Sequence, residues 1–166
     1  MRPPQESREL WLLFAPIKRT NLEWLVEKAT ELGATRLIPV LTDHTQVRSI
    51  NLDRLGTIIM EAAEQTERLD MPHLQAPLPL KQLLASWAQN RKLLVALERS
   101  DAKPLPEMAH HGCAILIGPE GGFSEAERHL FDKQDFILPC SLGSNILRAE
   151  TAALSALALW QGAQKN

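Results

Sequence analysis

The sequence predicts an α/β protein, a mostly parallel sheet flanked by helices. Three observations carry that reading. Short apolar runs alternate with segments of helical spacing along the chain. The runs are apolar throughout rather than every second residue, as in strands covered on both faces. Two of the last runs end in loops that open directly into helices, the connection a parallel sheet requires. The 166 residues show no repeat and no composition break, and that length suits one domain over residues 1–166.

Taken in order, residues 9–15 are apolar, too short for a helix and bounded by Pro16, so they read as a buried strand. Thr20 and Glu23 have capping-box spacing. Leu22, Leu25, Val26, Ala29 and Leu32 follow at helical spacing, and Gly33 is a good residue to end that helix. Residues 35–41 form a second strand, in which Pro39 calls for an edge position or a bulge. The polar stretch 42–48 follows a strand end, where α/β proteins tend to place their sites; the alternative is a solvated loop. Asn51 caps a helix to about residue 69 whose inner face is Leu55, Ile58, Ile59, Ala62 and Ala63. Pro77 and Pro79 mark a connection, and residues 80–88 a short helix. Residues 92–98 are a third strand ending in the Glu98 carboxylate. A loop with one helical turn covers 100–111, a fourth strand 112–117 and a fifth 136–140. Ser124 with Glu127 is a capping box that starts a helix over 125–131, and the last helix runs from Ala149 to Trp160.

Composition excludes several function classes. A net charge of −2 makes no global electrostatic demand for nucleic acid, so an RNA-binding role needs a local patch, a second domain or a partner subunit. No apolar run approaches the ~20 residues that span a membrane, and the first residues lack a signal-peptide core. Cys113 and Cys140 lie in apolar runs and read as small buried hydrophobes in a reducing cytoplasm, not as a disulfide or a metal pair. His110 and His111 have no Cys or acidic neighbours, so no metal is expected.

The informative stretch is the last third. Ile115-Leu-Ile-Gly-Pro-Glu-Gly-Gly-Phe-Ser-Glu125 and Leu142-Gly-Ser-Asn-Ile-Leu-Arg-Ala-Glu-Thr-Ala152 are both loops that end in a helix N-terminus. Such loops offer free backbone N–H groups to a polar ligand. Gly118, Gly121 and Gly122 allow the backbone to approach it closely. No Lys-Ser/Thr follows the glycines and the spacing is not G-x-G-x-x-G, so neither a nucleotide triphosphatase loop nor a dinucleotide fingerprint is present. A ligand-free strand-to-helix turn is the plain alternative for either loop, and the pairing of two, one carrying Arg148 and Glu150, argues against it.

These residues resemble ribosomal RNA small subunit methyltransferase E, a family of the SPOUT class. The match lies in Gly118-Pro-Glu-Gly-Gly-Phe-Ser124 and Leu142-Gly-x-x-Ile-Leu-Arg-x-Glu-Thr-Ala152. Two earlier segments agree, Glu27-Lys-Ala-Thr-Glu-Leu-Gly33 and Glu61-Ala-Ala-Glu-Gln-Thr-Glu-Arg68 followed by Pro72. The resemblance implies a C-terminal trefoil knot holding S-adenosylmethionine (SAM), a cytoplasmic homodimer, and methyl transfer to N3 of a uridine in 16S ribosomal RNA of the small subunit. It places the cofactor cradle at Leu97, at residues 117–122 (Ile117, Gly118, Glu120, Gly121 and Gly122), at Leu138, Leu142 and Gly143, and at Ile146, Leu147, Arg148 and Thr151. Two features depart from the family pattern. The usual PUA-like RNA-binding domain does not precede the first strand, and Asp43-His-Thr-Gln stands where the family tends to have Ser-Glu-Arg-Ser.

Methyl transfer to uridine N3 is an in-line displacement that needs oriented reactants and no metal. A proton leaves N3 and negative charge spreads to the ring carbonyls, which a cation would stabilise. Arg148 is the candidate for that cation or for gripping a phosphate, and the alternative is a structural ion pair with Glu150 or Glu120. Glu120 is the candidate base or ligand acceptor, and the alternative is pinning the loop backbone. Arg48 and Arg68 are candidates for RNA contact. Two other functions stay open, a SPOUT enzyme acting on a ribose 2′-hydroxyl and a non-catalytic module that binds SAM or RNA.

Overall fold

The computed structural model describes residues 8–98, 101–111 and 114–164. Among them the chain runs β1 (Trp11–Phe14), α1 (Arg19–Glu31), β2 (Arg36–Leu41), α2 (Leu52–Gln65), β3 (His73–Leu74), β4 (Leu78–Pro79), α3 (Leu80–Ala85) and β5 (Leu93–Ala96). It continues through α4 (Leu105–Met108), a 3₁₀ turn (Ala109–His111), β6 (Ala114–Ile117), α5 (Glu125–Asp132), β7 (Ile137–Cys140) and α6 (Ala149–Ala163). All the strand pairings are parallel, in the order β3-β2-β1-β6-β5-β7, with β4 also paired to β2.

Alternation along each strand builds two cores, one on either face. Leu12 and Phe14, Leu37, Leu94, Ile115 and Ile117 face the inner surfaces of α1, α2 and α6. Leu13, Ile38, Val40, Leu93, Val95 and Leu116 face the other way, onto α3 and α5 with Trp87, Phe123, Phe131 and Phe136. The strands are apolar on both sides because both sides are covered, which is why they read as continuous apolar runs. In α1 the buried positions Leu22, Leu25, Val26 and Ala29 form one stripe, and α1 lies between α2 and α6.

Pro39 is accommodated by a split outer edge. Thr35 and Leu37 turn their carbonyls outward, to His73 N–H at 3.0 Å and Gln75 N–H at 3.0 Å. Pro39, two residues on, points its missing donor to the same side. There β3 has ended at Leu74 and β4 begins only at Leu78, so no ladder bond is lost.

Local expectations were corrected at several places. The helix after β1 does not use a Thr20–Glu23 capping box: it starts at Arg19 with Lys18 as N-cap and no side-chain cap. Ile17 is 2% exposed and anchors the chain one step earlier. Glu23 instead accepts from Arg19 Nε at 3.2 Å and from Arg54 Nε of α2 at 3.3 Å. The Arg19 bond holds the Glu23 carboxyl below its ordinary pKa against the opposing effect of desolvation, and Arg54 adds to the lowering. Asn51 does cap α2, accepting from Arg54 N–H at 3.0 Å, but the helix ends at Gln65, and Glu67 takes a left-handed φ of 55°. The short helix α3 ends at Ala85, before residue 88. The two-residue strands β3 and β4 lie in what reads as a plain connection. Cys140 is buried in the first core, and burial pushes its thiol up to about 12. Cys113 lies outside the described residues, as do the expected starts of the 100–111 loop and of the 112–117 strand.

Candidate functional site

Strands β6, β5 and β7 lie side by side, and the loops that follow their C-terminal ends meet above them. Backbone bonds fix those loops. Leu97 N–H donates to the Cys140 carbonyl at 3.0 Å, Ser141 N–H to Lys103 O at 2.9 Å, and Leu105 N–H to Ser141 O at 2.9 Å. Gly122 closes a turn on Pro119 O at 2.9 Å with a φ of +71°, and Gly143 has a φ of +122°. Both conformations favour glycine strongly.

The loops enclose a first cleft lined by Leu97, Ile117, Gly118, Gly122, Leu142, Gly143 and Leu147, seven of the residues named from sequence. Glu98, Asn145 and Arg128 line it too. Of these only Glu98 had a signal, a carboxylate at a strand end. Aliphatic walls with an amide and a carboxylate beside free loop backbone suit a flat heterocycle joined to a sugar: the walls take the ring faces and the polar groups take hydroxyl and amine protons.

Glu120 and Arg148 stand elsewhere. They line a second cleft with Glu150, Lys18, Asn21 and Gln46, over Pro16, Ile17 and Val47. Neighbours in sequence alternate between the two: Pro119, Leu147 and Ala149 line the first, Glu120, Arg148 and Glu150 the second. The clefts are therefore two sides of the same pair of loops. The second lies where β1 and β6 are adjacent but lead to helices on opposite faces, α1 and α5, which is the switch point of the sheet. Arg148 forms an ion pair with neither Glu120 nor Glu150. Among the described residues the recorded ion pairs join other side chains, such as Lys28 with Glu31. Arg148 is the N-cap residue of α6, yet its side chain makes no cap bond.

The stretch after β2 is not a loosely solvated loop. Thr42 and Thr45 are buried, and their hydroxyls bond each other at 2.8 Å. His44 Nδ1 lies 3.0 Å from the Gly121 carbonyl and 3.1 Å from that of Gly122. Two carbonyls can only accept, so Nδ1 carries the proton. A Cβ on Gly121 would approach His44 Cβ at 3.2 Å, so the ring sits directly on the turn. Beneath it Glu127, 3% exposed, accepts from Ser124 N–H at 2.9 Å and from Asp43 N–H at 3.1 Å, and the Ser124 hydroxyl donates to the Asp43 carboxylate. The expected capping box of α5 is thus present and does a second job, fastening the 42–45 loop to the glycine turn. Glu127→Ala strands two backbone donors and is expected to cost about 2–3 kcal/mol, read as a lower denaturant midpoint. Glu127→Gln, which keeps one acceptor, should lose less.

The other named residues are placed as follows. Gly121 carries His44 above it, Leu138 is half-buried against the first core, Thr151 is exposed on the first turn of α6, and Ile146 is 58% exposed; none of the four lines either cleft. Arg48 is exposed on the loop before α2. Arg68 turns inward: Nη1 donates to Thr30 O at 2.6 Å and Ala34 O at 3.0 Å, and Nη2 pairs with Asp70 at 3.0 Å. It ties the end of α2 to the end of α1, a structural role for the side chain that the sequence offered as a candidate RNA contact. Among the described residues no three His, Cys, Asp or Glu side chains gather as a metal site, and no helix is long and apolar enough to cross a membrane.

Comparison with known proteins gives a consistent picture. A family model described as RNA methyltransferase domain matches residues 4–161. A Rickettsia conorii protein named ribosomal RNA small subunit methyltransferase E is 36% identical over 95% of this chain and 66% of its own length. The first three curated relatives, all of that name, are matched over 51–66% of their lengths, so the chain spans between half and two thirds of them. A Neisseria gonorrhoeae enzyme of the same name, solved bound to S-adenosyl methionine, superposes with a TM-score of 0.82 at 30% identity over 93% of this chain and 65% of that one. A putative methyltransferase from Legionella pneumophila, in complex with the cofactor SAM, gives 0.79 at 33% identity over 95% of this chain and 69% of that one.

Proposed function

The chain belongs to the RNA methyltransferase domain family and, within it, to the ribosomal RNA small subunit methyltransferase E group, and from that premise we propose that it transfers a methyl group from SAM to N3 of a uridine in 16S ribosomal RNA. The observation that carries the reading is the pair of clefts on the two sides of one pair of loops. One is aliphatic with free backbone, the other polar with an arginine and two glutamates that do not pair.

The first cleft fits SAM: its walls take the adenine faces, and Glu98, Asn145 and the 118–122 and 142–143 backbone take ribose and amine protons. SAM supplies a methyl on a sulfonium, and the carbon–sulfur electron pair stays with sulfur as the methyl leaves. The second cleft receives the acceptor. The Glu120 carboxylate takes the proton from N3 as the N3–methyl bond forms. Arg148 holds the negative charge that spreads to the ring carbonyls. A cation in a fixed place at such a charge contributes roughly 10²–10³ in rate.

The remaining parts of the reading have separate support. A trefoil knot is favoured by the parallel bridge of Pro104 with Ser141, which runs the segment after β7 beside the segment after β5 before α6 turns back onto α4 and α1. Exposed Arg48 is kept as an RNA contact. A homodimer acting in the cytoplasm follows from the family resemblance. The deciding experiment is transfer of labelled methyl from SAM to unmethylated small ribosomal subunits, with the product nucleoside identified. Labelled 3-methyluridine is expected; a 2′-O-methyl product, or SAM binding with no transfer by a chain whose fold is intact, overturns the reading.

A further inference from the structure

We propose that the second cleft reads the acceptor base itself, with the side-chain amides of Asn21 and Gln46 donating to the two carbonyls that flank uracil N3 and Lys18 meeting the nucleotide phosphate. The inference rests on the methyl-transfer reading and adds to it the residues that recognise the substrate.

Four separate segments converge on this cleft: the stretch from Pro16 to Asn21, Gln46 with Val47, Glu120, and Arg148 with Glu150. The polar side chains they bring are not satisfied by one another. Lys18, Asn21, Gln46, Glu120, Arg148 and Glu150 make no side-chain hydrogen bond or ion pair among the described residues. Elsewhere on α1 the charged groups do pair, as Arg19 with Glu23 and Lys28 with Glu31. Two amides, two cations and two carboxylates left open in one recess make a binding surface rather than a stabilising network.

The chemistry is that of a uracil nucleotide. Uracil is a flat ring with one N–H between two carbonyl acceptors. A pocket that methylates N3 must hold the ring by the carbonyls and leave the nitrogen free on the side of the methyl donor. It needs two donors set apart, an acceptor for the leaving proton, an apolar surface against the ring and a cation outside. Asn21 and Gln46 are the donors, on α1 and on the loop after β2. Glu120 is the acceptor, Pro16, Ile17 and Val47 are the apolar surface, and Lys18 is the cation. The same amide protons also strengthen their bonds as charge builds on the carbonyls, so they act in the transition state as well as in binding.

The test uses the chain with SAM's demethylated product present and uridine 5′-monophosphate as probe. The side-chain amide resonances of Asn21 and Gln46, identified by their disappearance in Asn21→Asp and Gln46→Glu, are expected to shift, while inorganic phosphate at the same concentration leaves them in place. Unmoved amides, or the same shift with phosphate alone, overturn the proposal. In parallel, each variant removes the donors at nearly constant volume and is expected to lower kcat/KM for RNA about tenfold or more while the Kd for SAM stays unchanged. Full kcat/KM in both variants also overturns it. The two readings fail separately. A wild-type chain that transfers no methyl sinks the function, and the probe-induced amide shifts still decide the pocket.

Discussion

Arg148→Ala is expected to lower methyl transfer by about 10²–10³-fold while the affinity for SAM stays within about threefold. The size of the effect comes from when the side chain acts. Arg148 lines the cleft proposed for the acceptor, so in the proposed reaction it acts as the proton leaves N3 and adds little to binding of the donor. The fold should not suffer. The side chain is exposed, forms no ion pair with Glu120 or Glu150, and makes no bond to the end of α6. Arg148→Lys keeps the charge without the planar fork and should recover part of the rate. Single-turnover transfer and calorimetric binding of SAM, measured on the same preparations, separate the two quantities. An equal loss in both would place Arg148 in the SAM site, and no loss in either would remove it from the mechanism.

Trp160→Ala is expected to cost about 3–5 kcal/mol, a large part of the stability of an ordinary domain. The inner face of α6 is made of small residues, Ala149, Ala153 and Ala156, which let the helix approach the sheet closely. Leu157 and Trp160 supply most of its bulk, and Trp160 is only 3% exposed. For a chain of this size the loss corresponds to a fall in Tm of roughly 10 °C. Trp160→Phe, which keeps an aromatic ring, should lose less than half as much. Thermal and denaturant unfolding followed by circular dichroism measure both, and a loss below about 1 kcal/mol would mean that α6 is not anchored through this residue.

Much of the fold could be read from the residues because it depends on neighbours in sequence. The five strands of four or six residues, the Asn51 cap and the Ser124–Glu127 capping box all lie where local pattern puts them. The strands β3 and β4 have two residues each and lie in a proline-bearing stretch, so no period could show them. Thr20 and Glu23 had the right spacing, but a buried Ile17 and an arginine on another helix decided otherwise. At the site, the glycine turns and the first cleft were legible for the same local reason. Two features were not. The bond from His44 to the glycine turn joins residues 77 apart, and nothing at either end announces it. The alternation of loop residues between two clefts depends on how the backbone twists after the strand, and a list of family positions merges the two sides into one.

The order of the strands also sets a timetable. Strand β1 finds its inner partner, β6, roughly a hundred residues later in the chain, and β5 waits for β7 on its outer side. During synthesis at ~5–20 residues per second the first half emerges with one side of β1 bare for several seconds. That bare edge is an invitation to unwanted pairing, which favours a chaperone's help or rapid completion. Arg148 and α6 are made only after every strand of the sheet, so a chain halted at Cys140 has all its strands but neither Arg148 nor the helix that covers the first core.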